Sequence, residues 1–215
     1  MNFEEYMDRE FLHSKNSYLI DIHTSFIENT SAVQISSERV LNGLMEFEAL
    51  GKQIHNDLQS KKDISKPAEQ SVNVFQTLRY DLRAFYFFVR ALMDDFCKIL
   101  KAKKGKSREQ IPESMNTLLG WISKNRKNRY ENQFFALLLQ ELAWFPEFRE
   151  ERNKLKKGSH AIRTVTDSRG TLYKVSNFND TIGDANSKSI VKFVGDTNKN
   201  VSEFKAFLLS WLLKE

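Results

Sequence analysis

Apolar positions in the middle of the chain alternate in steps of three and four: Phe75, Leu78, Leu82, Phe85, Val89, Leu92, Phe96 and Ile99. A seam of this kind predicts an amphipathic helix over 72–103, packed along its length on a near-parallel or antiparallel neighbour. Tyr86, Phe87, Phe88 and Met93 widen the apolar surface, which makes this helix central. It runs into KILKAKKGKSR, whose lysines suit the negative end of the helix dipole and whose Gly105 terminates it.

A second long helix is predicted over 129–157, where Phe134, Leu138, Phe145, Phe148 and Leu155 share a stripe with Glu141 and Arg152. Pro146 bends it by removing a backbone donor, and Gly158 stops it. Shorter stripes predict a helix within 3–29, with Tyr18, Ile22 and Phe26 in step, and another capped by Ser36 or Ser37 and carried by Val40, Leu41, Leu44, Phe47 and Leu50. The Ser/Thr/Asn-rich stretch at 29–37 separates these two, and the polar run at 59–67 reads as a loop. A short helix around 113–124 follows Pro112. The last third changes period: 161–165 and 171–175 flank 167–170 as a hairpin with alternating side chains, and 189–194 suits another strand. A final helix at about 200–214 gathers Phe204, Phe207, Leu208, Trp211 and Leu212 on one face. The expected fold is therefore mainly α, a helical bundle of about five to six helices, two of them long and central, with a small β-hairpin appendage before the C-terminal helix. The chain reads as one domain over 1–215, with a β-containing insertion at 161–195.

Composition adds limits. A chain of 215 residues buries a core without staples, and 40% hydrophobic with 12% aromatic content excludes a disordered polymer. The single cysteine, Cys97, excludes a disulfide framework and a thiolate metal site, and its apolar helical surroundings predict a buried, inert thiol. His13, His23 and His55 share no metal-ligand spacing, so no metal is expected. No Walker loop, GxGxxG turn or nucleophile elbow is present, so no cofactor is expected. No apolar run approaches the roughly 20 residues of a membrane span, and the acidic start MNFEEYMDRE lacks the apolar region of a signal peptide. A cytoplasmic location without membrane attachment is the expectation. The formal charge of +5 permits contact with phosphate.

Arg152 is the exception within the second stripe, standing where an apolar residue is expected. A guanidinium there must meet a carboxylate or face a cleft, since a dry, unpaired charge is costly. Glu141 poses the same question. The structural alternative is that Arg152 snorkels at an edge or pairs with Asp81, Asp94 or Asp95. Asp94 and Asp95, being adjacent, lie on different parts of the helix surface and read as partners for Arg or Lys.

The stretch FREERNKLKKGSH, 148–160, resembles the signature region of the HEPN superfamily of helical nucleotide- and RNA-associated domains, in which an Arg, often followed by a polar residue, precedes a His. The aromatic helix LRYDLRAFYFFVRALMDDFCKIL, 78–100, resembles a core helix of the same bundles. The likeness covers 72–160 and the final helix. It implies an RNA-directed protein whose active relatives are metal-independent endoribonucleases of toxin or defence type, acting as homodimers with two motifs on one cleft. Arg152 and Asn153 match the pattern. The usual His position, five after the Arg, holds Lys157, and the first histidine is His160, eight after. Eight helical residues rise about 12 Å, so Gly158 must break the helix for His160 to return toward Arg152.

Carried over to these positions, the chemistry is attack of a 2′-hydroxyl on the adjacent phosphate. His160 moves the proton, Arg152 stabilises the phosphorane charge and Asn153 orients the histidine or a phosphate oxygen. Lys154, Lys156 and Lys157, with Lys124, Arg126, Lys127 and Arg129, supply RNA backbone contacts. For each basic residue taken singly, an ordinary helix terminus or solvated loop is the alternative. Two further readings of the protein stand beside this one. The first is a catalytically inactive HEPN-like module that binds RNA, nucleotide or a protein partner. The second is an unrelated helical scaffold in which Arg152 belongs to a buried ion pair.

Overall fold

The computed structural model describes residues 1–103, 111–124, 133–156, 163–166, 172–175 and 188–213, with the backbone alone for 133, 154–156 and 163–189. Among them the elements run α1 (Phe3–Met7), a π-helical turn (Asp8–Leu12), α2 (Ser17–Gln59), α3 (Ser65–Lys103), α4 (Met115–Lys124), α5 (Gln133–Glu141), α6 (Phe145–Lys156), β1 (Arg163–Thr166), β2 (Leu172–Val175), β3 (Lys188–Ser189) and α7 (Ile190–Leu212). The protein is mainly helical, and the two longest helices are α2, with 43 residues, and α3, with 39.

Two expectations about helix boundaries are corrected at the start of the chain. The helix read within 3–29 is a short α1, a π turn and the beginning of α2, and the polar stretch 29–37 does not interrupt α2. No proline lies within α2, and its polar side chains find partners without leaving the helix. Ser36 Oγ donates to the Val33 carbonyl at 3.1 Å, while Ser25 and Asn29 reach the carboxylate of Asp95 on α3. A hydroxyl satisfied in this way no longer competes for a turn.

α2 ends in a Schellman arrangement. Lys61 N–H donates to the Leu58 carbonyl and Lys62 N–H to the Asp57 carbonyl, with Lys61 at φ 53°, the left-handed position that usually holds glycine. α3 then starts at Ser65 rather than 72. Asp63 Oδ1 accepts from the Ser65 N–H at 2.9 Å, and Pro67 lies in the first turn, where its missing N–H would have no intrahelical acceptor.

The helix expected over 129–157 is broken. Residues 129–132 and 157 lie outside the described residues, and α5 and α6 are separated by a turn at 142–144. Pro146 is the cause: a continuous helix would need its N–H for the Leu142 carbonyl, and its ring would press on that oxygen. The Leu142 carbonyl accepts from Phe145 N–H at 3.0 Å instead, and Pro146 takes the second position of a new helix.

β1 pairs antiparallel with β2, with Arg163 opposite Val175 and Thr166 opposite Leu172, and β2 pairs with β3 through Tyr173–Ser189. The strand expected at 189–194 is limited to Lys188–Ser189, and α7 begins at Ile190 instead of about 200. Ile190, Val194, Thr197, Val201, Phe204 and Leu208 are all buried at steps of four and three, so the β-branched residues at its start belong to a helical seam.

The chain gathers into two compact units. The first contains Met1–Ala32, Phe88–Arg149 and Asn198–Glu215. Its core is a knot of rings, with Phe96 at 5.6 Å from Phe3, 5.6 Å from Phe26 and 5.0 Å from Phe204. A second cluster stacks Phe134 on Trp211 at 4.0 Å. Around these lies a polar layer that ties helices together: Glu4 with Lys205, Asp8 with His23, Glu10 with Lys103 and Glu113 with Lys101. Cys97 is fully buried beside Met115, and burial pushes its thiol well up.

The second unit contains Val33–Phe87 and Glu150–Thr197. Within it α2 and α3 run antiparallel, with Phe47 on Phe75 at 5.8 Å and Gly43 opposite Leu78. Leu78, Leu82, Phe85 and Tyr86 are buried, and the Tyr86 ring packs on Phe193 of α7 at 5.2 Å.

Candidate functional site

The break before Pro146 sets the helical phase of α6 and thereby decides which of its charges turn inward. Phe145, Phe148 and Glu151, three apart, are buried. Arg152, one step on, is half-buried, and Asn153 beside it is half-buried too. The most deeply placed charge on this stripe is thus Glu151, whereas Glu141, expected on the seam, is exposed at the end of α5 because the 142–144 turn ends the register there. Sequence reading missed Glu151. Pro146, five residues before Glu151, marks where the phase must be counted afresh, and counting in threes from Phe145 finds Glu151.

Arg152 donates from Nη1 to Asn153 Oδ1 at 3.3 Å. Among the described residues it has no carboxylate partner. Two of the three acids offered as its alternative partners are committed elsewhere. Asp94 Oδ1 meets Arg90 at 3.3 Å and caps α4 by accepting from Met115 N–H at 2.8 Å. Asp95, almost fully buried, accepts from Ser25, Asn29 and Lys98, the last at 2.7 Å. Burial raises the Asp94 carboxyl above its ordinary value, against the pull of the Met115 N–H and Arg90. Burial also works against the charge of Lys98, but the hydrogen bond it donates to Asp95 wins and holds the ammonium above its usual range.

Glu151 belongs to the same unit as Tyr86, and the two are electrostatically linked. Burial pushes the Tyr86 phenol well up, and the Glu151 charge adds to the shift. A buried carboxylate, a buried phenol and a half-buried Arg–Asn pair thus lie on the elements of the second unit. A guanidinium with free donors in such surroundings can take an oxyanion that presents two oxygens to its fork, phosphate above all.

Of the other sequence-derived candidates, Lys124 is exposed at the end of α4. Lys154 and Lys156 extend α6, with side chains outside the described residues. Arg126, Lys127, Arg129, Lys157 and His160 lie outside the described residues altogether. The structure brings together Arg152 and Asn153. The remaining histidines stand apart: His13 is exposed, His23 meets Asp8 at 2.7 Å, and His55 meets Gln59 at 3.0 Å. Among the described residues no three His, Cys, Asp or Glu side chains form a metal-binding group, and no helix is long and apolar enough to cross a membrane.

The chain matches no family model, no curated protein and no solved structure.

Proposed function

We propose that the protein is an RNA-directed module of HEPN-like type, located in the cytoplasm, in which Arg152 contacts a phosphate of the bound strand. The observation that carries this reading is Arg152 itself: a half-buried guanidinium one step from the buried positions Phe145, Phe148 and Glu151, joined to Asn153 and without a carboxylate among the described residues. A structural arginine at that depth is expected to be neutralised, as Arg90 is by Asp94. Arg152 keeps donors for an incoming anion. Asn153 fixes the orientation of the guanidinium, and the net charge of +5 favours approach of a polyanion. The family resemblance adds His160 as the proton carrier and a homodimer as the working assembly.

Purified protein is incubated with labelled structured and single-stranded RNA in excess chelator, beside Arg152→Ala and His160→Ala variants. Cleavage by wild type that both variants lose defines a metal-independent ribonuclease. Binding without cleavage, weakened by Arg152→Ala, defines a non-catalytic RNA module. RNA binding and cleavage unchanged in Arg152→Ala would sink the assignment. Sedimentation of wild type across a concentration series tests the homodimer.

A further inference from the structure

Gln76, Arg79, Tyr80 and Arg83 stand at i, i+3, i+4 and i+7 of α3, hence on one face, and line a shallow depression of about 220 Å³. Tyr80 is 67% exposed, and Val72, on the same face, is 56% exposed. Neither Arg79 nor Arg83 pairs with a carboxylate among the described residues. Arg79 is positioned by the ring of Phe75, 5.9 Å from its guanidinium carbon. The nearest acid on this face by helical spacing is Glu69, about 10 Å along the axis from Gln76, while Asp81 projects from a different side.

We infer that this face holds single-stranded RNA. Two guanidiniums one turn apart, about 6 Å along the helix, match consecutive phosphates of an extended strand. The exposed phenol between them is a platform for an unstacked base, and the Gln76 amide can donate to and accept from a base edge. A duplex offers no free base face to Tyr80. A second copy placed on the same face about a two-fold axis would set the arginine pair against its own charge, and the aromatic surface is too small and too interrupted by charge to seat a membrane. The face is built from residues other than Arg152, so it extends the RNA reading without depending on that residue.

The test uses the full chain and a fluorescein-labelled mixed-sequence 12-mer RNA, followed by anisotropy over a salt series. Tyr80, Arg83, Lys52 and Lys66 are exposed and Arg79 is half-buried at the helix surface, so circular dichroism should show unchanged helix content. Arg79→Ala combined with Arg83→Ala should weaken binding about tenfold and flatten the logarithmic salt slope by about 1.4, the value for two single-strand phosphates. Tyr80→Ala should weaken binding to RNA several-fold, yet leave binding to an abasic strand of the same length unchanged. Lys52→Ala combined with Lys66→Ala removes the same charge from exposed positions elsewhere and should change affinity less than twofold. The inference is overturned if wild type does not bind the 12-mer, if the lysine control loses as much as the arginine pair, or if a duplex binds as tightly. It is also overturned if Tyr80→Ala abolishes a concentration-dependent self-association while leaving RNA binding intact. Arg152→Ala run in parallel separates the two sites: loss there with wild-type behaviour in the α3 variants removes this inference and keeps the Arg152 reading, and the reverse keeps this one alone.

Discussion

The two ends of α3 treat their cations in opposite ways. Toward its C-terminus Arg90 meets Asp94, Lys98 meets Asp95, Lys101 meets Glu113 and Lys103 meets Glu10. Toward its N-terminus Arg79 and Arg83 face outward with no carboxylate partner among the described residues. Both stretches belong to one helix and share a similar apolar seam. What differs is the company: the C-terminal stretch is covered by α4 and by the aromatic end of α6, with Arg90 lying 5.6 Å from the ring of Phe145. A cation under another element must be answered, because desolvation without a partner costs several kcal/mol, whereas one in water need not be. Arg152 is the departure from that rule, half-buried and yet without a carboxylate among the described residues, whereas Arg79 and Arg83 keep their donors open at an ordered surface.

The strongest way to break the contrast is to open the covered end. Phe96→Ala removes the ring shared by Phe3, Phe26 and Phe204, and should cost about 3–5 kcal/mol, read as a large fall in the urea midpoint. Asp95→Ala leaves Lys98 and the donors of Ser25 and Asn29 unanswered, and should cost about 2–4 kcal/mol. Asp95→Asn, which keeps acceptor oxygen, should cost less. At the approach to the bare end, Lys61→Gly relieves a left-handed residue and should stabilise by up to about 1 kcal/mol, seen as a higher midpoint in thermal melts.

The paired cations also predict how stability responds to acid. The hydrogen bond from Lys103 holds the Glu10 carboxyl below its ordinary 4.5, against a smaller effect of burial. For Glu4, burial opposes but Lys205 prevails, and for Glu113 the hydrogen bond from Lys101 dominates, so both also lie low. A depressed folded value means that the stabilisation is full above 4.5 and is lost as pH falls through the depressed values. Asp94, raised by burial, has the opposite sign and offsets part of that loss. Lys103→Met should flatten the acid limb of a urea-midpoint profile by less than about 1 kcal/mol, since solvent screens the pair. The smallest effect is expected at the bare end: Arg79→Ala with Arg83→Ala should leave stability within about 0.5 kcal/mol of wild type, as measured by urea unfolding, whatever it does to binding.

Legibility followed range. The seam from Phe75 to Ile99 was readable because apolar spacing on one helix is a local property, and the same holds for the buried Cys97 and for the closing face of Phe204, Leu208 and Leu212. The break between α5 and α6 was half readable: Pro146 signals a fault, but the fault falls at the carbonyl four residues earlier and resets which side chains turn inward. That reset hid Glu151 and exposed Glu141. The polar stretch at 29–37 misled because Asn29, with Ser25 just before it, finds its acceptor in Asp95 of α3, which no inspection of its own segment reveals, while Ser36 is satisfied by the Val33 carbonyl within the helix.

By itself the sequence determined a mainly helical protein with α3 at its centre, since propensity and periodicity act within a few turns. It also singled out Arg152 as a charge out of keeping with its stripe. Only the tertiary structure decided that α2 runs unbroken for 43 residues, that Asp94 and Asp95 serve Arg90 and Lys98, and that Arg79, Tyr80 and Arg83 form an open face. Whether a charge is answered depends on what packs opposite it, and that partner comes from residues distant in the chain.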